Sequence, residues 1–309
     1  NHYQSFFEEN KSNTKKTWEG IRNIINISKK DRVIPTHIMQ GKKIVNGKEE
    51  MAESFNEFFV NIGNTVENKI PKGRAKFSDY LKEHNSKKMF LDPVDEAEVA
   101  AMISQLKSSK ACGPNSIPSK NLKTNAFALI EPLKHLINLS FAEGYFPNIL
   151  KLAEVCPIFK KKDKSKCENY RPISLLSNLS KLFERSMHTR MYEFLEKYDA
   201  FYDLQFGFRK KYSTNHALLS IIEGIRQSLD NKTFSCGVFI DLEKAFDTVN
   251  HEILLRKLDH YGIRGLSNKW LSSYLTSRMQ KVTIGGASSS YRNITCGVPQ
   301  GSILGPLLF

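Results

Sequence analysis

Apolar side chains recur every three or four residues in several stretches of the chain, which is the period of an amphipathic helix. The strongest case covers residues 46–63, where phenylalanines alternate with acidic and amide side chains. Further stretches with this period are found at residues 95–107, 126–141, 180–197, 214–229 and 251–262. Residues 1–45 are polar apart from a segment around 18–27 that could form a helix, and residues 68–92 are typical of a linker. The apolar density rises after residue 95, where the main core is expected to begin.

Strand signals are fewer than helix signals. Residues 233–242, TFSCGVFIDL, are rich in β-forming side chains and predict a buried strand. Residues 154–159 are also strand-like, and residues 280–295 predict two strands joined by a Gly/Ser-rich connection. No internal repeat is found, and we predict an α+β fold in which helices outnumber strands.

The charge of the chain favours an anionic partner. Its 46 Lys and Arg exceed its 32 Asp and Glu, so the formal net charge is +14. Nucleic acid is the commonest such partner, because Lys and Arg that neutralise phosphates release counterions. A basic protein without that partner is the alternative. No apolar run approaches the roughly 18–20 residues of a membrane span, so we expect no membrane partner, and nothing indicates an oligomeric state.

The cysteines are widely spaced and form no C-x-x-C pair, which argues against disulfides and structural zinc. They are Cys112, Cys156, Cys167, Cys236 and Cys296. We expect reduced, buried thiols in an intracellular protein, with nucleus and cytoplasm both compatible. The chain opens without an initiator Met or a signal peptide and stops within the apolar run GPLLF. We therefore expect a fragment of a longer protein.

Three segments carry candidate chemistry. In the first, CGVFIDLEKAFDTVNHEIL, the predicted strand delivers Asp241 at its end, where a carboxylate can bind Mg²⁺. Asp247 follows and could cap the next helix. The second segment, residues 157–176, has five Lys within positions 160–166 and then Arg171, a pattern that can bind a polyphosphate. When each segment is considered alone, a plain turn at a strand end explains Asp241 equally well, and a solvated Lys-rich loop is the better explanation of the charge run.

The third segment, CGVPQGSILGPLLF, combines a tight turn with an amide side chain. Gly301 allows a ligand to approach the main chain closely, and Gln300 can both donate and accept hydrogen bonds. A strand–turn–helix connection with no ligand is the simpler interpretation for this segment on its own. The apolar run that follows the turn is typical of a buried helix.

Together and in this order, the segments resemble the reverse transcriptases of non-LTR retrotransposons (LINE elements), most like the jockey-type group. The stretches that carry the resemblance are CGPNSIPSKNLK, PIFKKKDKSKCENYRPISLLS, QFGFRKKYST, FIDLEKAFDTVNHEIL and GVPQGSILGPLLF. It implies a right-hand polymerase with fingers and a partial palm at residues 96–309, preceded by a mostly helical or linker region at residues 1–95. The chain would lack the thumb. The implied partners are an RNA template, a DNA primer and dNTPs, with Mg²⁺, or alternatively Mn²⁺, as cofactor.

The resemblance also implies roles for individual residues. Asp241 matches the first catalytic aspartate and metal ligand, with the backbone carbonyl of Leu242 as a further ligand. Phe246 matches the aromatic gate that rejects a ribose 2′-hydroxyl. The remaining matches are Lys161 and Arg171 for the incoming triphosphate, Gln300 and Gly301 beside the nucleotide sugar and templating base pair, and Gln205, Gly207 and Arg209 near the template strand.

Two departures from the family pattern change the expectation of activity. Asn115-Ser116 stands where the family commonly has Asp-Gly, a change that preserves the turn chemistry. The family's next motif, an aromatic-Ala-Asp-Asp hairpin with the remaining metal carboxylates, does not occur before Phe309. We therefore expect the chain to be inactive as a polymerase on its own. A group II intron maturase-like protein and a non-catalytic, basic RNA-binding remnant are the alternatives.

Overall fold

A computed structural model describes residues 2–11, 14–24, 34–41, 43–70, 76–81, 84–107, 113–114 and 117–309. Within these ranges helices outnumber strands, as predicted. The α-helices are α1 (His2–Glu9), α2 (Thr14–Ile24), α3 (Lys48–Glu67), α4 (Glu96–Ser104), α5 (Ser119–Thr124), α6 (Ala126–Glu143), α7 (Asn178–Lys197), α8 (Thr214–Asp230), α9 (His251–His260), α10 (Leu266–Leu275) and α11 (Gly305–Leu308). No helix among the described residues is long and apolar enough to cross a membrane.

The strands form a small hairpin and one larger mixed sheet. They are β1 (Ile38–Gln40), β2 (Lys43–Val45), β3 (Leu152–Phe159), β4 (Tyr170–Leu176), β5 (Arg278–Ile284), β6 (Ala287–Ser288) and β7 (Arg292–Ile294). The hairpin pairs β1 with β2. In the sheet, β3 pairs with β4 antiparallel and with β5 parallel, and β5 also pairs antiparallel with β6 and β7.

The main core lies between the helices that follow residue 95. The predicted apolar face of α7 is buried, and it packs with α4, α6, α9 and α10. Trp270 of α10 is fully buried, packs edge-to-face on Phe146 at 5.2 Å, and donates its indole N–H to Ser140 Oγ at 2.8 Å. The side chain of Asp95 accepts a hydrogen bond from the backbone N–H of Glu98 and so caps the N-terminus of α4.

A second core joins α3 to the sheet. Phe55 of α3 packs edge-to-face on Tyr170 of β4 with 4.8 Å between ring centroids, within a cluster that includes Val282 of β5. The buried side chain of Asn56 donates to Gln280 O, Ser289 Oγ and Ser290 O. This core therefore spans the boundary that the sequence places between residues 95 and 96.

The prediction of a buried strand at residues 233–242 is wrong. These residues form no regular secondary structure and no ladder with another described strand, and they are solvent-exposed, with Phe239 88% exposed. The neighbouring α8 is a helix as predicted but is exposed along its length. β-forming side chains stabilise a strand only when neighbouring strands accept its hydrogen bonds and cover its faces. The described strands pair with one another and leave this segment without such a neighbour.

The cysteine prediction is only partly correct. No disulfide joins the four described cysteines, and Cys156, Cys167 and Cys296 are half-buried. Burial raises the pKa of Cys167 to about 12, so its thiol stays protonated at neutral pH. Cys236 is exposed because it lies in the segment that fails to form a strand. Cys112 lies outside the described residues, as do Asn115 and Ser116 in the predicted turn.

Candidate functional site

A cavity of about 570 Å³ collects most of the predicted site residues. It lies between the β3–β4 hairpin, the segment 241–247 and the turn that contains Gln300. Six predicted residues line it, namely Lys161, Arg171, Asp241, Leu242, Phe246 and Gln300. Gly301 follows Gln300 and packs against β4. Gln205, Gly207 and Arg209 do not line the cavity.

The Lys-rich segment is an ordered hairpin turn. Asp163 accepts hydrogen bonds from the backbone N–H and hydroxyl of Ser165, at 2.9 and 2.7 Å, and these bonds lower the pKa of its carboxyl group. The hydroxyl of Tyr170 donates to the carbonyl of Lys164 at 2.7 Å. Lys161 and Arg171 are solvent-exposed on this frame. The backbone is therefore held in place while the cationic side chains remain available to an anion.

Asp241 and Leu242 do not sit at a strand end, contrary to the prediction, because the preceding strand does not form. Both are exposed at the edge of the cavity. The chain then turns through Lys244 in the left-handed region (φ 51°) and enters a single 3-10 turn, Ala245–Asp247. The ammonium group of Lys244 donates to the carbonyls of Glu168 and Tyr170, each at 3.2 Å. Lys244 thus attaches this segment to the basic hairpin.

Phe246 forms an aromatic wall between two other rings. It stacks on Phe309 with 4.9 Å between centroids, and Phe208 meets it edge-on at 6.0 Å. Phe208 belongs to the QFGFR segment, so this contact brings that loop to the cavity wall.

The three predicted template residues make local contacts. Arg209 donates to the carbonyl of Tyr202 at 3.2 Å and lies over the rings of Phe201 and Tyr212. Gln205 makes a long hydrogen bond, 3.4 Å, to the carbonyl of Gly207. Their role at a template strand stays a prediction.

Gln300 is attached to the site through both its backbone and its side chain. Its carbonyl accepts from Ser174 N–H at 2.8 Å, and its Nε2 donates to Asp247 Oδ2 at 2.7 Å. Burial raises the pKa of Asp247 to about 6, against the opposing effects of Gln300 and Lys244. The prediction that Asp247 caps the next helix is wrong. Asn250 caps α9 instead, accepting from Ile253 N–H at 3.1 Å.

Glu184 is a supporting residue that the sequence reasoning missed. It is fully buried on α7 and accepts from the backbone N–H groups of Ile303 and Leu304, at 2.7 and 3.3 Å, and from the hydroxyl of Ser180 at 3.0 Å. Burial raises the pKa of Glu184. It therefore holds the turn after Gln300. The available signal was an acid placed directly beside the buried apolar positions of α7.

The oxygen donors at the cavity edge suit a hard divalent cation. Mg²⁺ is commonly held by one or two carboxylates together with waters and substrate phosphates, and Asp241 with the Leu242 carbonyl provides donors of that kind. Within the ranges that the structure describes, no group of three His, Cys, Asp or Glu side chains could enclose a metal ion. The donor set therefore fits a cation shared with a bound phosphate.

Residues 159–309 match the family model described as reverse transcriptase (RNA-dependent DNA polymerase). The chain belongs to the reverse transcriptase family, whose members generally use divalent metal ions. Within that family it belongs with the enzymes of non-LTR, LINE-type retrotransposons.

Three relatives from Drosophila melanogaster carry this assignment. The probable RNA-directed DNA polymerase from transposon BS is 34% identical over 226 residues, covering 71% of this chain and 24% of the relative. The RNA-directed DNA polymerase from mobile element jockey is 32% identical to this chain, and the probable RNA-directed DNA polymerase from transposon X-element is 33% identical. Each of these alignments covers 75% of this chain and 25% of the relative. The chain thus spans about a quarter of their length. These names favour the LINE-type interpretation over the maturase-like one.

Proposed function

We propose that the cavity binds the incoming dNTP of an RNA-directed DNA polymerase, in which this chain forms the fingers and part of the palm. The proposal rests on one observation: three segments that are distant in the sequence line the same cavity of about 570 Å³. Lys161 and Arg171 come from the hairpin, Asp241 from the middle segment and Gln300 from the last. Cations, a carboxylate and an amide are the groups that a metal–triphosphate complex requires.

Each residue has a role that its chemistry supports. Lys161 and Arg171 would offset the triphosphate charge, with Arg171 able to bind two phosphate oxygens at once. Phe246 would form the wall below the sugar, where a ring excludes a 2′-hydroxyl. Gln300 and Gly301 would lie beside the sugar and the templating base pair. Gln205, Gly207 and Arg209 would lie near the RNA template.

In the proposed reaction, the 3′-hydroxyl of a DNA primer attacks the α-phosphate of the dNTP and pyrophosphate leaves. Asp241 and the Leu242 carbonyl would hold Mg²⁺, or Mn²⁺, and the bound cation would supply charge stabilisation to the reacting phosphate. Lys161 and Arg171 contribute positive charge on the triphosphate side. The protein otherwise acts by orienting the nucleotide, because phosphoryl transfer depends mainly on in-line positioning.

Equilibrium binding of Mg²⁺·dTTP to the chain tests the nucleotide site. We expect Arg171→Ala to weaken binding at least about tenfold, since charge-assisted hydrogen bonds contribute roughly 1.5–3 kcal/mol. Lys161→Ala should weaken binding more than Lys120→Ala, an exposed lysine on α5. Equal effects of the two lysine variants, or tight binding by Arg171→Ala, would contradict the proposal.

We also expect no primer extension by this chain alone. Two metal ions need more carboxylates than Asp241 supplies, and the described residues contain no larger ligand group. The assay uses a DNA primer on an RNA template with Mg²⁺ and dNTPs. Incorporation that Asp241→Asn abolishes would show this expectation to be wrong.

A further inference from the structure

The hydrogen bond between Asp247 and Gln300 joins two backbones that are already fixed to each other. Val298 N–H donates to the carbonyl of Phe246 at 2.8 Å, and a β-carbon on Gly297 would lie only 2.9 Å from the carbonyl oxygen of Asp247. On its other side, the Gln300 carbonyl accepts from Ser174 of β4. With the two backbones held in place, the contact depends on the side chain of Gln300 and on which end of its amide meets Asp247.

The Gln300 amide can present either of its two ends to Asp247, and the other end then faces the cavity. A glutamine amide has a donor end, Nε2, and an acceptor end, Oε1, whereas an ionised carboxylate can only accept. With Asp247 ionised, Nε2 turns toward it and Oε1 is the end that Gln300 offers to the cavity. A protonated Asp247 can donate, so the reversed amide also becomes compatible with a hydrogen bond.

We propose that Asp247 is a positioning residue that sets which end of the Gln300 amide faces the nucleotide cavity. The orientation follows from the contact itself, while its consequence for nucleotide binding rests on the proposed function. Asp247 need not touch the nucleotide for this role, because it acts through Gln300.

The surroundings of Asp247 place its pKa in a range that a pH titration of the folded protein can reach. Lys244 faces it from the same turn and favours the ionised form, and burial opposes that effect, leaving the pKa of Asp247 at about 6. α3 contributes Phe59 and Val60, which carry no charge, to the small cavity beside Asp247. The other titratable or charged groups that share its cavities or contact it are Cys296, Arg278, Lys160, Lys161, Lys162, Glu168, Tyr170, Arg171, Asp241 and Glu243.

NMR of the chain labelled with ¹⁵N-glutamine tests the orientation directly. The Gln300 side-chain amide, identified by its loss in Gln300→Ala, should shift with a midpoint near pH 6 in the wild-type protein. It should not shift in Asp247→Asn. Gln205 is the internal control, because its Nε2 donates to a backbone carbonyl, that of Gly207. A Gln300 resonance that is flat with pH, or that titrates alike in both proteins, would overturn the proposal.

A double-mutant cycle on Mg²⁺·dTTP binding tests the consequence. Near pH 7.5, Asp247→Asn should weaken binding about three- to tenfold, the range of one oriented hydrogen bond. In the Gln300→Ala background the same change should have no further effect. Additive losses would assign Asp247 a role independent of Gln300 and overturn the proposal. Absence of any binding by the wild-type chain would instead contradict the nucleotide site, and the NMR result would still decide the orientation.

Discussion

Gly301 can approach Ser174 as closely as it does only because it has no β-carbon. A β-carbon at this position would lie 2.6 Å from the Ser174 carbonyl oxygen, and the backbone of Gly301 has φ +127°, a conformation that L-residues avoid. The hydrogen bond from Ser174 N–H to Gln300 O, at 2.8 Å, joins the same two segments. The turn is therefore held against β4 at the point where Gln300 enters the cavity.

Gly301→Ala should destabilise the protein by about 3 kcal/mol or more, since backbone strain and a backbone clash both contribute. Urea unfolding followed by circular dichroism measures the loss. Gly286→Ala separates the two causes, because Gly286 has φ +87° but no atom near the added carbon. It should lose only about 1–2 kcal/mol. Equal losses of stability in the two variants would mean that the close contact with Ser174 adds nothing to the effect of backbone strain.

The stability of the protein should depend on pH through Asp247. Its pKa is raised from an ordinary value of 3.8 to about 6, so the native state keeps a proton that the unfolded chain has released. The stabilisation is complete below about pH 4 and is lost as the pH rises through about 6. Because Asp247 keeps some solvent contact, the loss should stay below the roughly 3 kcal/mol that the full shift implies.

The difference in unfolding free energy between the wild type and Asp247→Asn isolates this effect from other titrating groups. That difference should change between pH 4 and 7, with the variant gaining relative stability toward pH 7. A difference that is constant over this range would show that Asp247 has an ordinary pKa in the folded protein.

The helices can be predicted from the sequence because the patterns that indicate a helix are local. The apolar periods of α6, α7 and α9 each lie within one element, and each helix is found where predicted. The segment 233–242 fails for the opposite reason. Its β-forming side chains favour a strand, but a strand also needs hydrogen-bond partners from elsewhere in the chain. Local propensity does not supply those partners.

For the same physical reason, the sequence predicts some residues of the site but not the contacts that join them. Lys161, Arg171 and Gln300 are recognisable by residue type and motif, and they do meet at one cavity. The bond from Gln300 to Asp247 crosses 53 positions of the chain, and the buried Glu184 lies still farther from the turn that it supports. Asp247 and Asn250 are both good cap residues, so sequence alone could not decide which of them caps α9.

The attachment of α3 to the sheet should be necessary for stability. Asn56→Ala removes the donor to three acceptors, of which those of Gln280 and Ser289 are buried, and leaves Gln280 Nε2 without its partner at 3.1 Å. We expect a loss of about 2–4 kcal/mol, because buried polar groups left unpaired are costly. Asn61→Ala is the matched control on the same helix, since Asn61 makes an exposed bond to Glu57 O. It should stay within about 0.5 kcal/mol of wild type. Similar losses in the two variants would show that the buried hydrogen bonds of Asn56 contribute no more than the exposed bond of Asn61.

Phe246 should determine sugar selectivity if the cavity binds nucleotides. The ring is confined by Phe309 at 4.9 Å and Phe208 at 6.0 Å, so it cannot move aside easily for a 2′-hydroxyl. Phe246→Ala should therefore narrow the preference for dTTP over the corresponding ribonucleotide by about tenfold or more, the effect of roughly 1.4 kcal/mol of steric conflict removed. Competition binding with Mg²⁺ measures both affinities on one protein. Phe208→Leu, which loosens the support but keeps the wall, should produce a smaller change. If Phe246→Ala instead lowers both affinities equally, the ring packs against the nucleotide without selecting its sugar.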